Sequence, residues 1–254
     1  MTIETLREHE ARALDMYKDD FRRTSLERLI LPWVVGKRVL DMRCFRGELA
    51  VELAVRSFDV FALDGFSGAV EITNELARRR GINRPIAHLW ELTGLAEKTG
   101  GHRFDTVLCV DVLNHVRDDR ETIEAVWQVL VEDGRLILMA PAGPWLHGKR
   151  DEALGHVRRY KKESLKSLLE HNGFRLESIY YWNFLALPFY ILSEKVLRKG
   201  VSDELRSGKI GAFRSLPNAL LGWWYRIVEN SLIFPYGLSL IVIARKGQYS
   251  EKSR

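Results

Sequence analysis

The segment HGKRDEALGH, from His147 to His156, brings two histidines and two carboxylates close together along the chain. An imidazole titrates near neutral pH, so His147 or His156 has the chemistry of a general base, with a hydrogen-bonded loop histidine as the alternative for each. Histidine with carboxylate also suits several divalent ions, but nothing here fixes a tetrahedral spacing and no metal site is assigned. A second candidate is RVLDMRCFRGELAVELA, Arg38 to Ala54, which begins like a strand, ends like a helix and turns through Asp41 to Gly47. Glycines belong in such a turn where φ is positive or where backbone must lie against a nucleotide-like ligand. Here Arg43 and Phe45 stand at two of those places and only Gly47 remains. A side chain at positive φ costs on the order of 1 kcal/mol, which a folded domain tolerates; a phenyl ring in the ligand's space is the larger obstacle. Conversely, the planar fork of Arg43 or Arg46 suits a carboxylate, replacing backbone contacts with a side-chain clamp. Further acids end the neighbouring apolar runs, Asp64 in DVFALDG and Asp111 in FDTVLCVDVLNH, where Asn114 and His115 follow. RRYKK, Arg158 to Lys162, is the densest basic cluster and reads either as an anion site or as a solvated helix start.

The elements that must carry these residues alternate. A helical pattern over Leu14 to Val35 meets Pro32, which ends or bends it. Strands are expected at Arg38 to Asp41, DVFALDG, PIAHLWEL, FDTVLCVDVL, RLILMAPA, FRLESIYYW and LSLIVIARKG. Helices are expected over Gly47 to Arg56, Val70 to Arg80, Arg120 to Val131 (capped by Asp119, with Gly134 just past its end) and Glu163 to His171. The region Phe184 to Ser231 reads as helical and rich in aromatics. Strands alternating with helices predict an α/β fold with a doubly wound, mostly parallel sheet, and ligands in such sheets bind outside the carboxyl ends of the strands. The expected organisation is a helical segment over 1–36, a core over 37–183, a helical cap over 184–236, the last strand over 237–247 and a disordered tail over 248–254.

With 254 residues, 46% of them hydrophobic, the chain can bury a substantial core, so disorder is not expected over most of it. A net charge of +5 is compatible with an anionic substrate, a membrane surface or simply a solvated surface. No nucleic-acid motif and no interleaving of basic and aromatic residues is present, so nucleic acid is not the expected partner. The cysteines, Cys44 and Cys109, form no disulfide framework and point to a reducing cytoplasm. The charged N-terminus lacks the apolar stretch of a signal peptide. The longest apolar run, Tyr180 to Leu192, is too short to span a bilayer and long enough to lie on one.

VLDMRCFRGELAVELA, FALDGF, FDTVLCVDVLNHVRDDRETIEAVWQVLVEDGRLILMAPA and DEALGHVRRYKKESLKSLLEHNGF, in this order, resemble the successive motifs of the class I S-adenosylmethionine-dependent methyltransferases. The likeness runs from about Phe21 to Gly247 and is to the small-molecule branch of type 11/12 domains. It implies a Rossmann-like seven-stranded sheet with an antiparallel last strand, and S-adenosylmethionine as cofactor. It assigns the turn residues Asp41, Arg43, Cys44 and Gly47 to that cofactor, with Asp41 anchoring the turn or meeting the methionine amine. It places Asp64 against the ribose hydroxyls, Glu91 against the adenine amino group and Asp111 near the methionine moiety. His147 and His156 fall on a substrate-facing lid. The implied activity is methyl transfer to a small or lipid-like molecule, the helical region over 184–234 roofing a greasy pocket or resting on a membrane. The two replaced glycines keep a second reading open, a protein of this fold that has lost cofactor binding and serves as a binding partner or takes a different ligand. Oligomeric state is not fixed by the sequence.

Overall fold

The computed structural model describes residues 21–90, 93–196 and 223–247. Seven strands form one sheet in the order β3-β2-β1-β4-β5-β7-β6, mostly parallel with one antiparallel strand. They are β1 (Arg38–Met42), β2 (Asp59–Asp64), β3 (Ala87–Leu89), β4 (Phe104–Val110), β5 (Leu130–Pro141), β6 (Phe174–Trp182) and β7 (Ser239–Lys246). The helices are α1 (Phe21–Ile30), α2 (Glu48–Val55), α3 (Ser67–Arg79), α4 (Leu95–Lys98), α5 (Asp119–Val129), α6 (Lys149–Ala153), α7 (Lys162–His171) and α8 (Leu187–Ile191). The described residues fall into two compact units, one of 33–90, 93–140, 162–179 and 241–247, the other of 21–32, 141–161, 180–196 and 223–240.

The first unit holds the parallel pairs β1·β2, β1·β4, β2·β3 and β4·β5. Val39, Leu40 and Met42 on β1 and Val107, Leu108 and Cys109 on β4 have no exposed surface, as central strands covered on both faces require. Asp105 fixes the start of β1, its Oδ2 accepting from the Lys37 and Arg38 amides at 2.9 and 2.8 Å. α2 lays Ala50, Val51 and Leu53 inward, and α3 lays Ala69, Thr73 and Ala77. Lys246 is buried on β7, with its ammonium 3.8 Å from the centre of the Trp127 ring and donating to the Leu130 carbonyl at 2.9 Å.

Several boundaries differ from expectation for identifiable reasons. α1 is followed at Pro32 by a 3₁₀ turn, Leu31–Trp33; the expected residues before 21 lie outside the described ones. α5 begins one residue early because Asp118, not Asp119, is the cap, accepting from the Glu121 amide at 2.9 Å. Gly134 lies inside β5 rather than past a helix end. A β-carbon there would stand 2.8 Å from the Val131 carbonyl oxygen, in a stretch where Asp133 is left-handed and the pairing with β4 shifts register. β3 starts two residues into PIAHLWEL, because Pro85 has no N–H to donate and the Ile86 amide goes to the Asn74 side chain at 2.9 Å.

In the second unit Leu146, Leu187, Tyr190 and Leu238 form a buried cluster. Trp182 packs edge-on against Tyr225 at 5.8 Å and donates to the Asn230 amide oxygen at 3.1 Å. Asn230 donates in turn to the Ser25 carbonyl of α1 at 2.9 Å. The expected cap over 184–236 is described at its two ends, α8 with a π turn (Leu192–Val196) and a second π turn (Tyr225–Glu229); 197–222 lie outside the described residues. Among the described residues no helix is long and apolar enough to cross a membrane.

Candidate cofactor site

The register sets the site. Met42 is paired with Leu63 on one side and Cys109 on the other, so β1, β2 and β4 end side by side and the turns that follow share one edge of the sheet. That edge carries Asp41, Arg43, Cys44, Phe45, Asp64, Asp111 and Asn114, residues gathered from three separate stretches of sequence. It is the carboxyl edge, where open parallel sheets place their ligands.

The turn after β1 keeps the backbone that glycines would adopt. φ is +65° at Arg43, +57° at Phe45 and +74° at Gly47, and Asp111 at the end of β4 is also left-handed, at +53°. Three non-glycine residues therefore hold strained backbone at one site, on the order of 1 kcal/mol each, the kind of clustering that marks ligand sites. Hydrogen bonds over-determine the shape. The Cys44 amide donates to the Leu63 carbonyl and the Gly47 amide to the Cys44 carbonyl, both at 2.8 Å. Gly47 itself survives for a reason inside the protein: at its φ a β-carbon would collide with the Thr73 side chain of α3. Gly47→Ala should therefore lower unfolding free energy by about 2–4 kcal/mol, overpacking added to backbone strain, as measured by chemical denaturation.

Asp64 closes β2 with its carboxylate already oriented. Oδ2 accepts from the Phe45 amide at 2.8 Å and Oδ1 from the Phe66 amide at 3.0 Å, the Gly65 amide also acts on the carboxylate, and its roughly four acceptor sites leave room for a further donor. Burial pushes its pKa up, while the Arg43 charge and the backbone donors pull it down; the net is a rise. Arg43 reaches across the edge, Nη1 donating to the Asp111 carbonyl at 3.4 Å. Arg46 instead pairs with Glu48 at 3.0 Å. Asp41 is buried beneath the turn. Cys44 is buried too, its sulfur 3.6 Å from the Thr73 hydroxyl, and burial followed by the charges of Asp41 and Asp64 pushes its thiol well up. It lines the turn as a packing residue, with no thiolate to offer. Glu91 lies outside the described residues.

These residues fit a nucleoside carrying an amino-acid tail. A carboxylate at the end of β2 with acceptor capacity to spare suits a pair of ribose hydroxyls. Asn114, fully buried on the turn after β4, has neither amide atom hydrogen-bonded among the described residues. A buried orphan amide costs about 1–3 kcal/mol, so a bound polar group is the natural partner for it. Asn114 was legible only as a neighbour of Asp111; nothing in its spacing marks burial.

The two histidines belong to the other unit and do meet each other, His147 Nε2 lying 3.1 Å from the His156 carbonyl oxygen. His156 is held by Asp151, one of the two carboxylates of the His147 to His156 segment. Asp151 is fully buried and accepts from His156 Nδ1, Arg159 Nε and the Tyr190 hydroxyl, all at 2.9 Å, and from the Gly148 amide at 3.1 Å. Arg159 also donates to the Ala142 carbonyl at 3.1 Å and the Tyr190 hydroxyl at 2.8 Å. Within the RRYKK cluster Arg159 is thus taken out of solvent by Asp151. This second arginine is a buried structural cation and the cluster's tyrosine is core.

Residues 14–179 match the family model described as a methyltransferase domain. The methyltransferase YcgJ of Bacillus subtilis, itself uncharacterized, is 25% identical over 154 residues, 58% of this chain and 60% of its own length. A ubiquinone biosynthesis O-methyltransferase of Acinetobacter baumannii is 30% identical over 101 residues, 40% of this chain and 42% of its own. The chain thus spans less than two thirds of the length of these curated relatives. The N-methyltransferase NodS of Bradyrhizobium japonicum, solved with S-adenosylhomocysteine, shares the fold at a TM-score of 0.55 and 15% identity, over 91% of each chain. With well over half of its length matching that model, and the seven-stranded sheet in the order found here, the chain belongs to the class I S-adenosylmethionine-dependent methyltransferases.

Proposed function

We propose that the protein transfers a methyl group from S-adenosylmethionine to an oxygen, nitrogen or carbon nucleophile on a small or lipid-like molecule. The observation that carries this reading is Asp64, fixed by two backbone amides at the end of β2 beside a turn that keeps its left-handed backbone without its glycines. The cofactor supplies an activated methyl on a sulfonium. Displacement there needs chiefly alignment and exclusion of water, so the protein's part is to bind and orient. Asp64 is the ribose acceptor, while Asp41, Cys44 and Gly47 hold the shape of the turn. Asp111 and Asn114 border the site at β4. The relatives named above include one O- and one N-methyltransferase, which supports either kind of acceptor atom.

Where the acceptor must lose a proton, His156 is the better candidate of the two histidines. Asp151 on Nδ1 orients the ring and favours the tautomer with its basic lone pair on Nε2, whereas His147 has Nε2 on a carbonyl. A lipid-like acceptor or a membrane face is supported by Leu232, Ile233 and Tyr236, which are 57%, 84% and 65% exposed in the loop before β7. Incubation with methyl-labelled cofactor and extracts of lipids, glycans and phenolics should label one class, lipids first. In the same assay His156→Gln should slow transfer by about 100-fold or more if the base is used. Absence of label in every extract would count decisively against the reading.

A further inference from the structure

A glycine turn of this kind offers its ligand backbone N–H groups. In this chain those groups are largely spent. The Cys44 amide is on Leu63, the Phe45 amide on Asp64 and the Gly47 amide on Cys44, each at 2.8 Å. An amino-acid carboxylate arriving at the turn therefore needs another donor. Of the two arginines available by sequence, Arg46 is paired with Glu48 at 3.0 Å. Arg43 is half-buried on the left-handed step of the turn, and its one hydrogen bond among the described residues is a long one, 3.4 Å from Nη1 to the Asp111 carbonyl. Its charge also acts on Asp64, so the guanidinium sits within the electrostatic reach of the ribose-binding carboxylate. A guanidinium presents five donors in a fork that matches a carboxylate edge-on, and one weak contact leaves that fork available.

From this we infer that Arg43 is the residue that binds the α-carboxylate of the cofactor, a side-chain clamp standing where the fold ordinarily uses glycine backbone. The inference rests on the cofactor reading above. It assigns a role to the most anomalous residue of the turn, and it explains why strain is tolerated at position 43. It also makes Arg43 a specificity determinant: the site should distinguish adenosyl thioethers by the presence of the carboxylate.

Calorimetry on the full chain with S-adenosylhomocysteine and with its decarboxylated analogue, which keeps the nucleoside, thioether and amine, separates the cases. Mildly alkaline buffer favours the ionised form of Asp64, whose pKa is raised by burial. The unaltered protein should bind the carboxylate-bearing ligand about 10–100-fold more tightly, as a charge-assisted pair predicts. In Arg43→Gln that advantage should vanish, homocysteine-ligand affinity falling to the level of the analogue while the analogue's own affinity changes by less than about twofold; Arg43→Lys should recover part of the loss. Equal affinity for the two ligands in the unaltered protein, or an Arg43→Gln variant that keeps the preference, overturns the inference and leaves the cofactor reading standing. Equal loss of both ligands in Arg43→Gln also overturns it, since that reports a damaged pocket. Binding of neither ligand by the unaltered protein overturns the cofactor reading and the inference with it.

Discussion

Replacing Asp151 with alanine should cost the protein about 3–5 kcal/mol of stability, because it leaves the buried Arg159 guanidinium uncompensated. The carboxylate has no exposed surface and receives His156, Arg159, Tyr190 and the Gly148 amide together. The Arg159 guanidinium also lies 4.8 Å from the centre of the Tyr190 ring, so one deletion loosens the start of α6, the chain after it and α8 at once. Burial raises the pKa of Asp151, but the donors His156 and Arg159, the Arg159 charge and the Tyr190 hydroxyl outweigh it and hold the group well below the usual carboxylate range. A depressed folded value fixes the sign: the contribution is fully present above the ordinary value of 3.8 and is lost as pH falls below it. Urea denaturation of Asp151→Ala and Asp151→Asn at neutral pH checks the magnitude, and a loss under about 1 kcal/mol would refute the buried-hub account, since surface pairs contribute no more than that. The same measurement separates two roles for His156. If His156→Gln stops methyl transfer while the denaturation midpoint barely moves, the ring acts on the acceptor; a matching fall in both means that it only braces Asp151.

Asp64→Ala should weaken S-adenosylhomocysteine binding by about 100-fold or more, the loss of two hydrogen bonds to a charged acceptor at about 1.5–3 kcal/mol each. The variant also strips the Phe45 and Phe66 amides of this acceptor, so the turn after β1 keeps only the Cys44–Leu63 bond of its two backbone-amide ties to β2. Burial is the leading cause of the raised pKa here, with the Arg43 charge opposing it. Cofactor affinity should accordingly fade on acidification at a pH above the ordinary value of 3.8, as the acceptor takes up a proton. Stability runs the other way. A carboxyl whose folded value is raised favours the folded state as pH falls through that value, so in acid Asp64 gains what Asp151 loses. Calorimetric titrations across the acidic range, paired with denaturation midpoints, resolve the two signs. Unchanged affinity in Asp64→Ala would remove Asp64 from the ribose contact.

The sequence by itself determined the parallel α/β scaffold and the carboxylates at its edge, because both depend on local pattern. Val- and Leu-rich runs such as FDTVLCV can only be strands covered on both faces, and the helices between them force parallel pairing, so Asp41, Asp64 and Asp111 had to fall at the carboxyl ends. Position 43 was legible as an anomaly for the same reason: a motif with a side chain where backbone is expected is visible in one dimension. Its resolution was not. That the backbone stays left-handed under an arginine and a phenylalanine depends on hydrogen bonds donated by the amides of 44 and 45 to residues 63 and 64 of the neighbouring strand, contacts that span almost twenty positions and leave no periodic trace. The choice between Arg43 and Arg46 likewise turned on which one Glu48 neutralises. The surroundings of His156 were decided by burial. Asp151 and Arg159 look like ordinary surface charges in a polar stretch, and only the arrival of Tyr190, some forty positions downstream, closes them off from water and turns a run of charges into a single buried ion network. Local propensity fixes which elements form and where they end; desolvation, which depends on what packs against them from elsewhere in the chain, decides what the charges on them can do.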